Sequence, residues 1–159
     1  MNKEKFRLDM QGAIFDLDGT LFDSMWVWNQ VDLDFLGKRG FEVPDDYTKA
    51  IAHMDAHRTA RYTIDRFGLS EDIDDIVNEW FEMAKDKYAY DVICKQGAYE
   101  YVEKLHNQGV KIAIATSSDK VLFEKTLERT GLNKFIDAVV MVKEVNKGKS
   151  HPDVYLEAA

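Results

Sequence analysis

At 159 residues, 45% of them apolar and 31% charged, the chain has the composition of a folded globular protein with room for one substantial core or a small domain carrying an insertion. A net charge of −8 argues against nucleic acid or an anionic membrane as the main partner, yet leaves room for a small anionic substrate whose charge a metal ion offsets. No apolar run approaches the roughly 20 residues of a membrane span, and the single cysteine, Cys94, excludes an internal disulfide or a cysteine-based zinc site and fits a cytoplasmic setting.

In chain order, QGAIFD (Gln11 to Asp16) reads as a short buried strand. From Ser24 to Asp91 helical spacing takes over. MWVWNQVDLDFLGKRG places Trp28, Val31, Phe35 and Leu36 at near-helical intervals and closes at Gly37 or Gly40. PDDYTKAIAHM follows as a helix with Pro44 near its first turn, then HRTARYTIDRFG, then SEDIDDIVNEWFEMAKDKYAY with Ser70 as its N-cap. Trp26, Trp28 and Trp80 are expected in the core of this block.

After Asp91 the pattern alternates. GAYEYVEKLHNQG is a helix ending at Gly109, VKIAIATSS a strand, DKVLFEKTLERTG a helix ending at Gly131, FIDAVVMV a strand, and HPDVYLEAA the start of another helix. Strand and helix alternating at this spacing imply right-handed crossovers and a parallel sheet. The expectation is therefore an α/β, Rossmann-like parallel-sheet core built from residues 1–23 and 92–159, with a helical insertion over 24–91.

Open parallel sheets gather ligands outside the carboxyl ends of their strands, and there this sequence concentrates its polar residues. Asp16 and Asp18 follow GAIF; Thr116, Ser117 and Ser118 follow KIAIA; Glu144, Lys147 and Lys149 follow AVVMV. An acid pair, hydroxyl donors and a lysine are the set that phosphoryl transfer requires: a carboxylate nucleophile, donors for non-bridging oxygens and a cation. A calcium loop starting at Asp16 would need Gly at its sixth position and Glu at its twelfth, where this chain has Leu21 and Val27. That reading fails.

DLDGTLFDS resembles the first motif of the haloacid dehalogenase-like phosphohydrolase superfamily. The helical insertion directly after it resembles the cap of the β-phosphoglucomutase-like subgroup. IAIATSS is similar to the second motif, and GKSHPDVYLEAA to the third, with Lys149-Ser150 where Lys-Pro is usual. The resemblance implies Asp16 as the nucleophile that becomes an aspartyl phosphate and Asp18 as general acid and base. Both would hold Mg²⁺, Asp16 by its carboxylate and Asp18 by its backbone carbonyl. It implies Thr116 as donor to a phosphoryl oxygen and Lys149 as the balancing cation. Gly19, Thr20 and Ser117 would contact substrate, with Gly19 allowing close backbone approach. Arg58 takes about the place of a cap arginine that binds a distal substrate phosphate, and the cap would exclude water and select the substrate.

Each residue also has a plainer reading. The acid pair suits a strand-end turn, Thr116 suits an N-cap that Ser118 or Asp119 could also supply, and Lys149 suits a solvated loop, with Lys147 as competitor. Arg58 suits an exposed surface, and His53, His106 and His151 show no ligand spacing.

Where the mutases carry a cap histidine, this chain has Trp28, which favours hydrolysis over transfer between sugar hydroxyls. The family's fourth motif, an acidic pair before a Gly-containing helix, is expected one helix and one strand beyond Lys149 and is not found up to Ala159. An incomplete core would leave the edge of GAIFD open, to be covered by more chain or by a second copy in a homo-oligomer. The leading expectation is a Mg²⁺-dependent phosphatase of small phosphorylated metabolites. A sugar-phosphate mutase and a catalytically silent oligomeric or binding protein are the alternatives.

Overall fold

A computed structural model describes residues 10–159; residues 1–9, which the sequence reading assigns to the core, lie outside the described residues. The chain forms two compact units. One continues through Asp23 and resumes at Ile93 to Ala159; the other is Ser24–Val92. Among the described residues no helix is long and apolar enough to cross a membrane.

The first unit is an α/β fold around a parallel sheet of β1 (Gly12–Phe15), β4 (Lys111–Thr116) and β5 (Ala138–Met141), in the order β1-β4-β5. Two-residue strands β2 (Phe22–Asp23) and β3 (Ile93–Cys94) form a small antiparallel pair, too short to leave an alternating signature in the sequence. Strand β4 lies between two neighbours, and its residues Ile112–Thr116 are all buried, as a continuous apolar run in a covered sheet should be. Helices α5 (Ala98–Asn107), α6 (Lys120–Thr130) and α7 (Asp153–Ala158) complete this unit. Gly109 and Gly131, just past the ends of α5 and α6, take left-handed φ values of 82° and 77°, which residues with a Cβ reach only at a cost.

Strand β1 departs from the buried strand expected. Gly12 and Ile14 are exposed, Ala13 and Phe15 only half-buried. The cause is its position: β1 pairs with β4 in parallel, Phe15 opposite Ile114, and has no strand on its other side among the described residues.

The second unit is helical: α1 (Val27–Lys38), α2 (Tyr47–Ile51), α3 (Ala56–Phe67) and α4 (Ile73–Tyr90), with α4 packed against both α1 and α3. Val27, Val31 and Phe35 recur at intervals of four and, with Leu36, form the buried stripe of α1. Phe35 meets Trp80 edge-on at 5.3 Å between ring centroids. Trp26 and Trp28 are 36% and 46% exposed, so of the three tryptophans only Trp80 joins the core. Trp28 falls one position beyond Val27 and leaves the buried stripe.

Two helix starts also differ from expectation. Asp72, not Ser70, caps α4: its backbone is extended and its Oδ1 accepts the Asp74 amide at 2.9 Å. Pro44 shapes a turn whose carbonyl accepts the Tyr47 amide at 2.9 Å, and the helix itself begins only at Tyr47. Tyr47 is fully buried and gives its hydroxyl proton to Thr63 Oγ1 at 2.7 Å, because the Thr63 hydroxyl already donates to the Thr59 carbonyl at 2.7 Å.

Candidate active site

The loop leaving β1 is folded around Leu17. Its side chain is completely buried, and its carbonyl accepts the amides of Thr20, Leu21 and Phe22 at 3.1, 3.0 and 2.9 Å. Gly19 completes the turn at φ 75°, a left-handed conformation, and donates its amide to the Phe22 carbonyl at 3.0 Å. With Leu17 driven inward, Asp16 and Asp18 on either side of it remain half-buried, available to polar partners. The spacing of the two acids thus follows from one buried leucine between them.

Partners for both acids arrive from distant parts of the chain. Lys149 Nζ forms an ion pair with Asp16 Oδ1, and Thr20 Oγ1 donates to Asp16 Oδ2 at 3.3 Å. Ser118 Oγ donates to Asp18 Oδ2. Thr116, the last residue of β4, is fully buried, and its Oγ1 accepts the Ser118 amide at 3.0 Å. This side chain-to-backbone bond two residues ahead makes a hydroxyl turn that brings Ser118 back towards the acid pair. Because β1 and β4 are adjacent and parallel, both strands deliver these residues to the same end of the sheet.

Lys149 reaches Asp16 from the loop between β5 and α7. That loop is held at its far end by Val154 of α7, which packs with Ala115 and Val140 and is ringed by Val142, Val145 and Ala158. Lys147 is exposed, so Lys149 is the lysine that meets the acid pair. Glu144 turns to the backbone, accepting the Met141 amide at 2.7 Å. Asp119 occupies the N-cap position of α6 without a side-chain cap bond; its carboxylate instead takes Lys143 Nζ at 2.6 Å.

The residues expected at the site therefore divide. Asp16, Asp18, Thr20, Thr116 and Lys149 are linked directly or through Ser118, and Gly19 shapes their loop. Ser117 is exposed just past the end of β4; the serine in contact with the acid pair is Ser118. From sequence, Ser118 falls in the strand-end hydroxyl cluster and among possible helix caps, with no role of its own at the site. Arg58 belongs to α3 of the helical unit, where its amide is capped by Asp55 Oδ1 at 2.9 Å. It lines an open groove of about 630 Å³ with His57, Arg61, Tyr62 and Asp74. His57 Nε2 lies 3.2 Å from Asp74 Oδ1 in that groove.

As a cation site the acid pair offers only hard oxygen donors. Mg²⁺ is typically held by one or two carboxylates with water and phosphate oxygens completing its shell, so the donor chemistry fits. Among the described residues no cluster of three or more His, Cys, Asp or Glu side chains gathers to enclose a metal.

A family model described as haloacid dehalogenase-like hydrolase matches residues 13–159. The chain belongs to this family. It is 29% identical over 154 residues to "Protein SUPPRESSOR OF QUENCHING 1, chloroplastic" of Arabidopsis thaliana, an alignment covering 94% of this chain and 15% of the plant protein. It is 26% identical over 153 residues to hexitol phosphatase B of Escherichia coli, covering 92% of this chain and 67% of the relative. A solved structure from Thermotoga maritima, provisionally assigned as a β-phosphoglucomutase, superposes with a TM-score of 0.84 at 22% identity over 94% of this chain and 69% of that one. At that identity the likeness establishes the haloacid dehalogenase-like fold.

Proposed function

We propose that this chain carries the centre of a Mg²⁺-dependent phosphatase acting on small phosphorylated metabolites through an aspartyl phosphate at Asp16. The observation that carries the reading is the ion pair of Lys149 with Asp16, two residues from a second acid, at the carboxyl end of a parallel sheet. The phosphatase name of the Escherichia coli relative supports it, as does membership of a hydrolase family.

In this reading a carboxylate oxygen of Asp16 attacks phosphorus and the ester P–O bond breaks, while Asp18 gives its proton to the departing alkoxide. Asp18, now a carboxylate, takes a proton from water as that water attacks phosphorus. The P–O bond to Asp16 breaks, phosphate leaves, and both acids return to their starting state. Lys149 offsets the charge that accumulates when an anionic nucleophile approaches an anionic ester. Thr116, whose lone pair is engaged by the Ser118 amide, retains a hydroxyl proton for a phosphoryl oxygen. Ser117 and the turn at Gly19 and Thr20 border the phosphate, and Arg58 serves substrate recognition. The metal, held by the Asp16 carboxylate and the Asp18 carbonyl, would neutralise phosphoryl charge.

Hydrolysis of p-nitrophenyl phosphate with and without Mg²⁺, in the wild type and in Asp16→Asn, tests the proposal. Metal-dependent turnover that disappears in the variant supports it; folded wild-type protein without turnover overturns it. The edge of β1 that no strand flanks among the described residues, with Ile14 38% exposed, is where a second copy would pair, and sedimentation equilibrium of wild type against Ile14→Lys measures that association.

A further inference from the structure

We infer that Ser118 is the positioning residue for Asp18, fixing which carboxyl oxygen of the acid exchanges the proton. The inference rests on the phosphatase reading above for its chemistry and on geometry for its contact. Ser118 Oγ donates to Asp18 Oδ2, although the two residues are 100 positions apart in the chain. The backbone of Ser118 is tied down independently, its amide donating to Thr116 Oγ1 at 3.0 Å, and Thr116 is fully buried at the end of β4. The serine, two residues past β4, is thus anchored to the buried end of the central strand and not to the loop that carries Asp18.

A carboxylic acid carries its proton on either of two oxygens, and a rotor that turns presents the wrong one to the leaving group half the time. Of the two oxygens of a protonated carboxyl group, the carbonyl oxygen is the stronger acceptor and the one a neighbouring hydroxyl selects. With Ser118 donating to Oδ2, the transferable proton of Asp18 is carried on Oδ1. When the P–O ester bond breaks, that proton passes from Oδ1 to the alkoxide oxygen and leaves a carboxylate that Ser118 continues to hold. The position after Thr116 has the same chemical type in Ser117, yet Ser117 is exposed and makes no such bond. Nor is Ser118 spent as a helix cap, since Asp119 holds the N-cap position of α6.

The test separates esters by their need for a proton. For Ser118→Ala, kcat/KM on an alkyl phosphate such as glycerol 3-phosphate is expected to fall about tenfold or more, whereas on p-nitrophenyl phosphate, whose phenolate departs without a proton, it stays within about threefold. Ser118→Thr, which keeps the hydroxyl, should recover most of the loss. Equal losses on both esters, or none on either, overturn the inference while wild-type turnover stands. A second readout does not need turnover: the side-chain carboxyl ¹³C resonance of Asp18, identified by its absence in Asp18→Asn, moves in Ser118→Ala and returns in Ser118→Thr. An unmoved resonance overturns the contact whatever the kinetics. Wild-type protein that hydrolyses neither ester overturns the phosphatase reading, and the resonance then decides the contact by itself.

Discussion

Both units of this molecule are held by ion pairs, and the two sets differ in what surrounds them. In the helical unit Arg39 joins Glu71 at 2.6 Å and Glu79 at 2.7 Å while its guanidinium lies 3.7 Å over the Phe35 ring. Lys87 meets Asp34 at 2.6 Å. Each of these carboxylates faces a cation from another helix or its flanking loop, and hydrogen bonds from Lys87 and Arg39 hold Asp34, Glu71 and Glu79 below their ordinary range. In the α/β unit two carboxylates crowd into a three-residue turn and draw partners from 133 and 100 positions away. Like charges held this close add nothing to stability by themselves, and in the proposed mechanism the pair supplies nucleophile and acid. Charge that clamps helices and charge gathered at strand ends look alike in composition and are expected to answer mutation differently.

The largest effect should separate the two at once. Asp16→Asn is expected to lower turnover at least about 10³-fold while the protein melts within a few degrees of wild type. Steady-state kinetics with a thermal melt on the same sample checks it. Next, Lys149→Met should cost about 10²–10³ in kcat/KM. Lys147→Met, an equal change of charge on an exposed neighbour, should stay within about twofold. A comparable loss from both would reduce the Lys149 contact to a general field effect.

The helical unit should answer in stability. Arg39→Ala is expected to cost about 1–3 kcal/mol in denaturant unfolding, with kcat unchanged in the folded protein. A fall in kcat without loss of stability would break the comparison. The smallest effect concerns Asp32, whose carboxyl burial pushes up to about 6 from 3.8. As pH rises from about 4 to about 6, the unfolded chain loses this proton before the folded one, so the contribution of Asp32 to stability falls over that window. Asp32→Asn should therefore stabilise the protein by about 1 kcal/mol above pH of about 7, after discounting for partial exposure, and leave it unchanged below about 3.5. Urea unfolding at both ends of the range measures the difference.

What could be read from the residues beforehand follows the range of the forces involved. The apolar run KIAIAT announces a covered central strand, and the helix ends at Gly68, Gly109 and Gly131 follow from the left-handed backbone each adopts. The parallel order of β4 and β5 follows from a helix placed between them. Less legible was anything decided by a neighbour far along the chain. The exposure of Ile14 depends on which strands flank β1, and GAIF reads the same at an edge as at a centre. Trp28 looks apolar on any scale, but its phase on α1, one residue past Val27, turns it from the stripe. Ser118 sits within three consecutive hydroxyl residues, and only the turn made by Thr116 Oγ1 selects it over Ser117. A Thr-x-Ser pattern directly after a buried strand is the signal that could have found it.

The central claim, that Asp16 becomes covalently phosphorylated, is most directly tested by trapping. Protein turning over p-nitrophenyl phosphate is quenched in acid and reduced with borohydride, which converts an aspartyl phosphate to homoserine, and peptide mass spectrometry locates the change. The prediction is homoserine at position 16 and none in Asp16→Asn. Turnover that leaves Asp16 unmodified, or marks another residue, would contradict the mechanism.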